Sequence, residues 1–158
     1  MGLTMSRDEL DGKAPEIFCK IVLYLKTAMV HEVLLQLNKL SIGSIKSHLD
    51  PFNKEFIYVS FAEVYYEQYW DIDDALTEMF SKVEPHFSHI CSIIDNFKCH
   101  SLIDIAVCVY ETYPALLFSG KNMKKIHSLN ADISIDPYYY GSCDNLIDKN
   151  TSQCDAEV

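Results

Sequence analysis

The sequence predicts an α+β domain in which helices pack on a mixed β-sheet. Segments with the period of a strand alternate along the chain with segments that have the period of a helix. The length of 158 residues and the 49% of hydrophobic residues suffice for one substantial core. The element order is β-α-β-α-β-(β)-α-β, which favours a ferredoxin-like or related sandwich. We expect a single domain over residues 16–140, with a polar N-terminal arm over 1–15 and an acidic flexible tail over 141–158.

The first strand and the first helix follow from a change of period. Residues 16–26 have one apolar face at period two, which is formed by Ile17, Cys19, Ile21, Leu23 and Leu25. In residues 28–40 the period becomes that of a helix, and the apolar stripe consists of Val30, Val33, Leu34, Leu37 and Leu40. We expect this helix to end near Gly43.

A long strand is predicted from Phe56 to Tyr66. It follows a turn at residues 50–53, where proline fixes φ and asparagine tolerates left-handed geometry. Aromatic or aliphatic side chains occupy both faces of the strand up to Glu63. The beginning of the strand is therefore expected to be buried on both sides.

The next helix has a clear starting signal. Asp71 stands at the N-cap position, and Asp73 and Asp74 lie in the first turn, where carboxylates interact favourably with the helix dipole. The apolar stripe consists of Ile72, Leu76, Met79, Phe80 and Val83. Pro85 either kinks this helix or starts a second one, and helical spacing continues to about residue 97.

Another largely buried strand is predicted at residues 101–110, where two apolar faces alternate and only Asp104 interrupts them. The short segment 115–118 is a candidate hairpin partner for this strand. It accounts for the bracketed strand in the element order.

The last predicted elements are a helix and an edge strand. Ser119 or Asn122 can cap the helix, which runs to about Leu129. Residues 131–140 alternate like a strand, and Pro137 fits an edge of the sheet better than its centre.

Four sequence features carry a resemblance to a known family. They are the opening strand FCKIVLYLK before a helix, Trp70 ahead of a long helix, the strand LIDIAVCVY, and the closing LNADISIDPYYY after a short helix. In these features the chain resembles a bacterial family, domain of unknown function four-two-seven-nine, over about residues 16–141. The resemblance implies no reaction and no catalytic residues. The occurrence of the family near toxin systems implies an immunity role.

The charge of the chain disfavours several classes of partner. The 13 Lys and Arg against 23 Asp and Glu give a formal net charge of −10. Nucleic acids and anionic membrane surfaces require a basic footprint, so neither is an expected partner. We expect a cytoplasmic protein, because no apolar run is long enough to span a membrane and residues 1–15 do not have the pattern of a signal peptide.

The six cysteines are predicted to be reduced thiols rather than a disulfide framework. None forms a CxxC pair, and Cys19, Cys91 and Cys108 lie inside apolar segments. Cys143 and Cys154 fall in the polar tail, where cross-linking during purification is an open alternative.

Two groups of side chains are candidates for metal-dependent chemistry. His86 and His89 are three residues apart on a predicted helix, so both imidazoles could touch one cation, but no third ligand is indicated. Glu63, Glu67 and Asp71 could bring carboxylates together, as in metal-dependent hydrolases, although Asp71 also has a capping role. We predict no catalytic residues, no metal and no cofactor. A small metal-dependent hydrolase and a ligand-sensing accessory domain remain the alternatives.

The strongest functional signal is a stretch of acids and aromatic residues. No Lys or Arg occurs between Lys54 and Lys82, although seven acids do. Aromatic side chains offer contact area at modest entropy cost, and carboxylates attract the Lys and Arg of a partner. We therefore predict a non-enzymatic bacterial immunity protein that binds a basic protein, a candidate toxin domain, through Glu63, Tyr65, Tyr66, Glu67, Tyr69, Trp70, Asp71, Asp73, Asp74 and Glu78.

We call residues 63–78 the acidic-aromatic segment. In the alternative interpretation its aromatic residues pack under the following helix, and its acids only keep the protein soluble. The two interpretations differ in whether the aromatic side chains are exposed.

Overall fold

Five strands form one sheet in the computed structural model, which describes residues 15–66, 71–110 and 113–139. The predicted flexible tail and, apart from Pro15, the predicted N-terminal arm lie outside the described residues. The strands are β1 (Glu16–Lys26), β2 (Lys46–Leu49), β3 (Phe56–Tyr66), β4 (His100–Val109) and β5 (Ala131–Tyr139). The α-helices of the described ranges are α1 (Val30–Asn38), α2 (Ile72–Val83), α3 (Phe87–Phe97) and α4 (Gly120–Ser128).

The strand order is β2-β3-β1-β4-β5, with β1 at the centre. β1 is antiparallel to both β3 and β4, β2 is antiparallel to β3, and β5 is parallel to β4. The four strands β2-β3-β1-β4 and their helices have the ferredoxin-like arrangement, to which α4 and β5 add one parallel edge strand. The predicted single α+β domain with a mixed sheet and its element order are confirmed.

The two faces of the sheet have different surroundings. On the face that we call the helix face, the odd-numbered residues of β1 from Ile17 to Leu25 are buried in one cluster with the helices. The opposite face, which we call the open face, carries the even-numbered residues of β1, and Phe18 there is 37% exposed. The open face is therefore partly exposed, although Val22 on it is buried.

Helix α2 supplies much of the core because its apolar stripe faces the sheet. Its buried residues are Ile72, Ala75, Leu76, Met79, Phe80 and Val83. The helix begins after Asp71, whose carboxylate accepts a hydrogen bond from the Asp73 N–H at 2.9 Å, as the capping signal predicts. Pro85 lies in a short 3-10 helix, Glu84–His86, which separates α2 from α3.

Helix α4 is capped by Ser119, whose side chain accepts from the N–H of Asn122. Asn122 itself is buried in the helix rather than at its cap. Asn130 has a φ of 48° and lies directly before β5. Strand β5, which contains Pro137, is an edge strand, as the sequence predicts. None of the helices in the described ranges is long and apolar enough to cross a membrane.

Three local features differ from the sequence-based expectations. Strand β2, which the pattern does not indicate, is a short exposed edge strand. The segment 115–118 contributes a single bridge, between Ala115 and Asp71, and not a regular strand. The expectation that the beginning of β3 is buried on both sides is wrong, since Tyr58 is 36% exposed on the open face.

Aromatic side chains shield one another at this end of the open face. The ring of Tyr24 lies 4.8 Å from that of Phe56 and 4.7 Å from that of Tyr58, measured between centroids. The buried carboxylate of Asp50 accepts from the Tyr24 hydroxyl at 2.7 Å and from the Phe52 N–H at 2.8 Å. The turn before β3 is thereby fixed to β1.

Candidate partner-binding site

The acidic-aromatic segment continues from the end of β3 into α2, and the structure describes part of it. Glu63 and Tyr65 are exposed at the open face of β3. Asp74 and Glu78 are exposed on α2. Glu67, Tyr69 and Trp70 lie outside the described residues. Tyr66 ends β3, but its side chain is not described.

Tyr65 forms a stacked pair with Phe18 of the neighbouring strand. Their ring centroids are 4.3 Å apart, and Tyr65 is 44% exposed. The pair forms because the two residues face each other in the register of β1 and β3. Phe18 is not in the predicted site. The period of β1 places Phe18 on the face opposite Ile17, but only the strand pairing brings it to Tyr65.

Glu63 is surrounded by lysines that are distant in sequence. The Lys46 ammonium donates to Glu63 Oε2 at 2.8 Å, and Lys82 Nζ donates to the Glu63 carbonyl at 2.6 Å. The hydrogen bond from Lys46 lowers the pKa of Glu63 below its ordinary value. Although the segment contains no Lys or Arg, the fold therefore brings lysines from other parts of the chain next to it.

Two exposed acids of α2 lie on the same stripe of the helix as Lys82. Strand β2 pairs with β3 only up to Ser60, so the following part of β3 has no β2 partner. Asp74, Glu78 and Lys82 recur every four residues, which places them on one stripe of α2. Lys82, at the end of this stripe, reaches the carbonyl of Glu63 on β3. Asp74 and Glu78 form no ion pair with another residue of the described ranges.

Asp73 has a different environment from these two acids. Its carboxylate accepts from the Ser119 N–H and from the Asn122 amide, each at 2.8 Å. Burial raises the pKa of Asp73, but these hydrogen bonds outweigh it and hold the pKa below its ordinary value. Asp73 joins α2 to α4, and Asp71 caps α2, so both acids have structural roles.

The carboxylates of Asp50 and Asp73 make the stability sensitive to acid. Hydrogen bonds to the charged form, from Tyr24 for Asp50 and from Ser119 and Asn122 for Asp73, hold both pKa values below those of an unfolded chain. Their contribution is present above the unfolded-state pKa and is lost as the pH falls through the folded-state pKa. We expect the free energy of unfolding to decrease from about pH 6 to about pH 3.

Urea denaturation at several pH values measures this decrease. The Asp73→Asn variant, which removes one of the titrating groups, should show a smaller decrease than the wild type. Equal free energies of unfolding for the wild type at both ends of the range would contradict the assignment.

The candidate metal ligands do not come together in the described ranges. No group of three or more His, Cys, Asp or Glu side chains there could hold a metal ion. His86 ends the 3-10 helix before α3, and His89 is exposed on α3. Glu63 is engaged with Lys46, and Asp71 is engaged in capping.

Three of the described cysteines, Cys19, Cys91 and Cys99, are thiols that are shielded from solvent. Burial raises the pKa of Cys19 to about 12 and that of Cys99 to about 11. Cys91 also has a raised pKa, mainly because of burial. A raised pKa lowers the thiolate fraction at neutral pH, so these cysteines are poor nucleophiles. Cys143 and Cys154 lie outside the described residues.

The fold and the surface together define an α+β domain with a ferredoxin-like sheet, whose open face carries an exposed aromatic pair near acidic side chains. The chain belongs to the family described as Domain of unknown function (DUF4279), whose sequence model matches residues 43–140. The matched range extends from before β2 to the end of β5 and does not include β1. No curated protein matches the chain, and no solved structure does.

Proposed function

We propose that the protein is a non-enzymatic, cytoplasmic bacterial immunity protein that binds and neutralises a cationic toxin domain. The binding surface would include the exposed residues Phe18, Glu63, Tyr65, Asp74 and Glu78, which we call the acidic-aromatic surface. The observation that carries the proposal is the exposed stack of Phe18 on Tyr65, with Glu63 and Phe18 lining the same surface pocket. We also predict that Tyr66, Glu67, Tyr69 and Trp70 contribute to binding.

The aromatic pair has the properties of an anchor for a protein partner. Both residues belong to the paired strands β1 and β3, so their backbone is already ordered before binding. A rigid aromatic side chain gives a large contact area and loses little conformational entropy on binding. Such anchors commonly supply most of the binding energy, while the surrounding polar residues exclude water.

The acids of α2 are suited to attract a cationic partner. Lys46 and Lys82 compensate Glu63, so the local negative field comes mainly from Asp74 and Glu78. The net charge of −10 adds a long-range contribution of the same sign. Complementary charge accelerates association more than it increases affinity, and salt screens the effect.

Charge reversal on α2 tests the electrostatic part of the proposal. The Asp74→Lys/Glu78→Lys variant should bind a cationic toxin domain that the wild type captures in a pull-down with an association rate about tenfold lower at low salt. The Glu32→Lys/Asp95→Lys variant makes the same charge change at exposed residues of other helices, and its rate should fall by less. Surface plasmon resonance with a catalytically inactivated toxin domain measures both.

The Tyr65→Ala variant tests the aromatic anchor in the same experiment. It should mainly accelerate dissociation, because short-range contacts are lost while the charge stays unchanged. Wild-type binding by both the Lys double variant and Tyr65→Ala would refute the proposed surface. Failure of the wild type to capture and inhibit any cationic toxin domain would refute the proposed function.

A further inference from the structure

At the other end of β1, far along the strand from Phe18, a second feature of the molecule has the composition of a ligand site. A cavity of about 320 Å³ lies between the ends of β1 and α3 and the beginnings of β3 and β4. This volume is within the range of small-molecule sites. We propose that this cavity binds a small organic anion with a flat apolar body, such as an aromatic carboxylate or sulfonate.

The apolar wall of the cavity is formed in advance. The rings of Tyr24 and Phe56 stack with an angle of 13° between their planes, and both line the cavity. The hydroxyl of Tyr24 is held by Asp50, which fixes the ring from its far end. Met29 and Phe97 line the cavity as well. A flat ligand can therefore bind against ordered apolar side chains without first ordering them.

The polar lining of the cavity is basic. Lys26, Lys98 and His100 line it together with the amide of Asn96, and no acidic residue of the described ranges does. This composition contrasts with the net charge of −10 for the whole chain. Two acids contact lining residues from outside the cavity: Asp132 Oδ2 is 3.2 Å from His100 Nε2, and Asp50 accepts from the Tyr24 hydroxyl. The two lysines remain as the cationic groups of the cavity.

A favourable interaction with the helix dipole explains the position of only one of the two lysines. Lys98 follows the last residue of α3, where a cation interacts favourably with the helix dipole. Lys26 ends a strand and has no such role. The two lysines converge on one cavity from elements that are more than 70 residues apart in sequence (98 − 26 = 72). Ammonium groups beside an apolar wall select ligands that combine an anionic group with an apolar body.

The experiment uses 8-anilinonaphthalene-1-sulfonate, a fluorescent aromatic anion, as the probe. The full chain should show saturable binding with one site per molecule in a fluorescence titration. The Lys26→Glu/Lys98→Glu variant should bind the probe at least about tenfold more weakly, because attraction at short range becomes repulsion. The Lys121→Glu/Lys124→Glu variant carries the same charge change on α4, outside the cavity lining, and should bind like the wild type.

Two competitors identify the chemistry of the site. Naphthalene-2-sulfonate should displace the probe, whereas neutral naphthalene-2-methanol should displace it much less. The Tyr65→Ala variant should bind the probe like the wild type, which separates this cavity from the aromatic pair at the other end of the sheet.

Several outcomes would overturn the assignment. They are the lack of saturable binding by the wild type, equal losses in the two lysine double variants, loss of the probe site in Tyr65→Ala, and equal displacement by the anionic and neutral competitors. None of these results depends on whether the protein binds a toxin.

Discussion

Replacing Phe80 with Ala is expected to lower the free energy of unfolding by about 3–5 kcal/mol, which is the usual cost of removing a buried aromatic side chain. Phe80 is fully buried on the face of α2 that meets the sheet. Its ring makes an edge-to-face contact with Phe87, at 6.3 Å between centroids, and Lys125 Nζ lies 5.5 Å from the ring centroid. The substitution therefore removes contacts to α3 and α4 as well as to the sheet.

Guanidinium denaturation followed by circular dichroism measures this loss. The matched control is Phe52→Ala, because Phe52 is 97% exposed in the turn before β3 and should contribute within about 0.5 kcal/mol. Phe80→Leu, which keeps most of the apolar volume, should lose less than Phe80→Ala and remain folded. Similar losses for Phe80→Ala and Phe52→Ala would contradict the position of Phe80 in the core.

The helices could be predicted from sequence because their signals are local. The apolar stripe of α2, its N-cap at Asp71 and the interruption at Pro85 all lie within a few residues of the elements that they define. Strand β2 has no comparable signal. It consists of the exposed residues KSHL, and it is a strand only because its backbone pairs with β3.

The surroundings of the open face could not be read from the pattern of β3. An apolar residue in a strand pattern is expected to be buried, but the pattern does not say by what. A helix can cover it, or neighbouring side chains on the same face of the sheet can shield it. Tyr24 partly covers Tyr58, because the two residues are opposite each other in the register of β1 and β3. The pattern was therefore right that Tyr58 has apolar neighbours. It was wrong that the side chain is buried.

The candidate site shows the same division between local and distant information. Charge and aromatic content along the segment identify Glu63, Tyr65 and Asp74 as candidates, since both are properties of single residues. The pairing of Tyr65 with Phe18 and of Glu63 with Lys46 depends on strand register. Sequence spacing alone therefore could not show which candidates form the surface.

Asp73 is the clearest case of a predicted site residue with a structural role. The Asn122 side chain is only 1% exposed, and its amide donates to the Asp73 carboxylate at 2.8 Å, to the Asp73 carbonyl at 3.1 Å and to Thr77 Oγ1 at 2.9 Å. Its Oδ1 is buried and has no hydrogen-bond partner in the described ranges. The position of Asn122 thus depends on donation to α2. Residues 49 positions apart in sequence form this link, which no local pattern indicates.

Replacing Asp73 with Ala should lower the free energy of unfolding by about 2–3 kcal/mol, because the Ser119 N–H and the buried Asn122 amide both lose a charged acceptor. Asp74→Ala is the matched control and should change the free energy by no more than about 0.5 kcal/mol, since Asp74 is exposed. Urea denaturation of both variants provides the comparison. Equal effects of the two substitutions would show that Asp73 does not join α2 to α4.

A double-mutant cycle of Asp73→Ala and Asn122→Ala separates this link from the other contacts of each residue. We expect a coupling energy of about 1–2 kcal/mol, because either substitution alone already breaks the hydrogen bond between the two side chains. Strict additivity would contradict the link. The result also determines how the proposed acidic-aromatic surface is tested. If Asp73 stabilises the packing of α4, reversing its charge weakens the fold together with any binding, whereas reversal at Asp74 and Glu78 changes the surface charge of α2 alone.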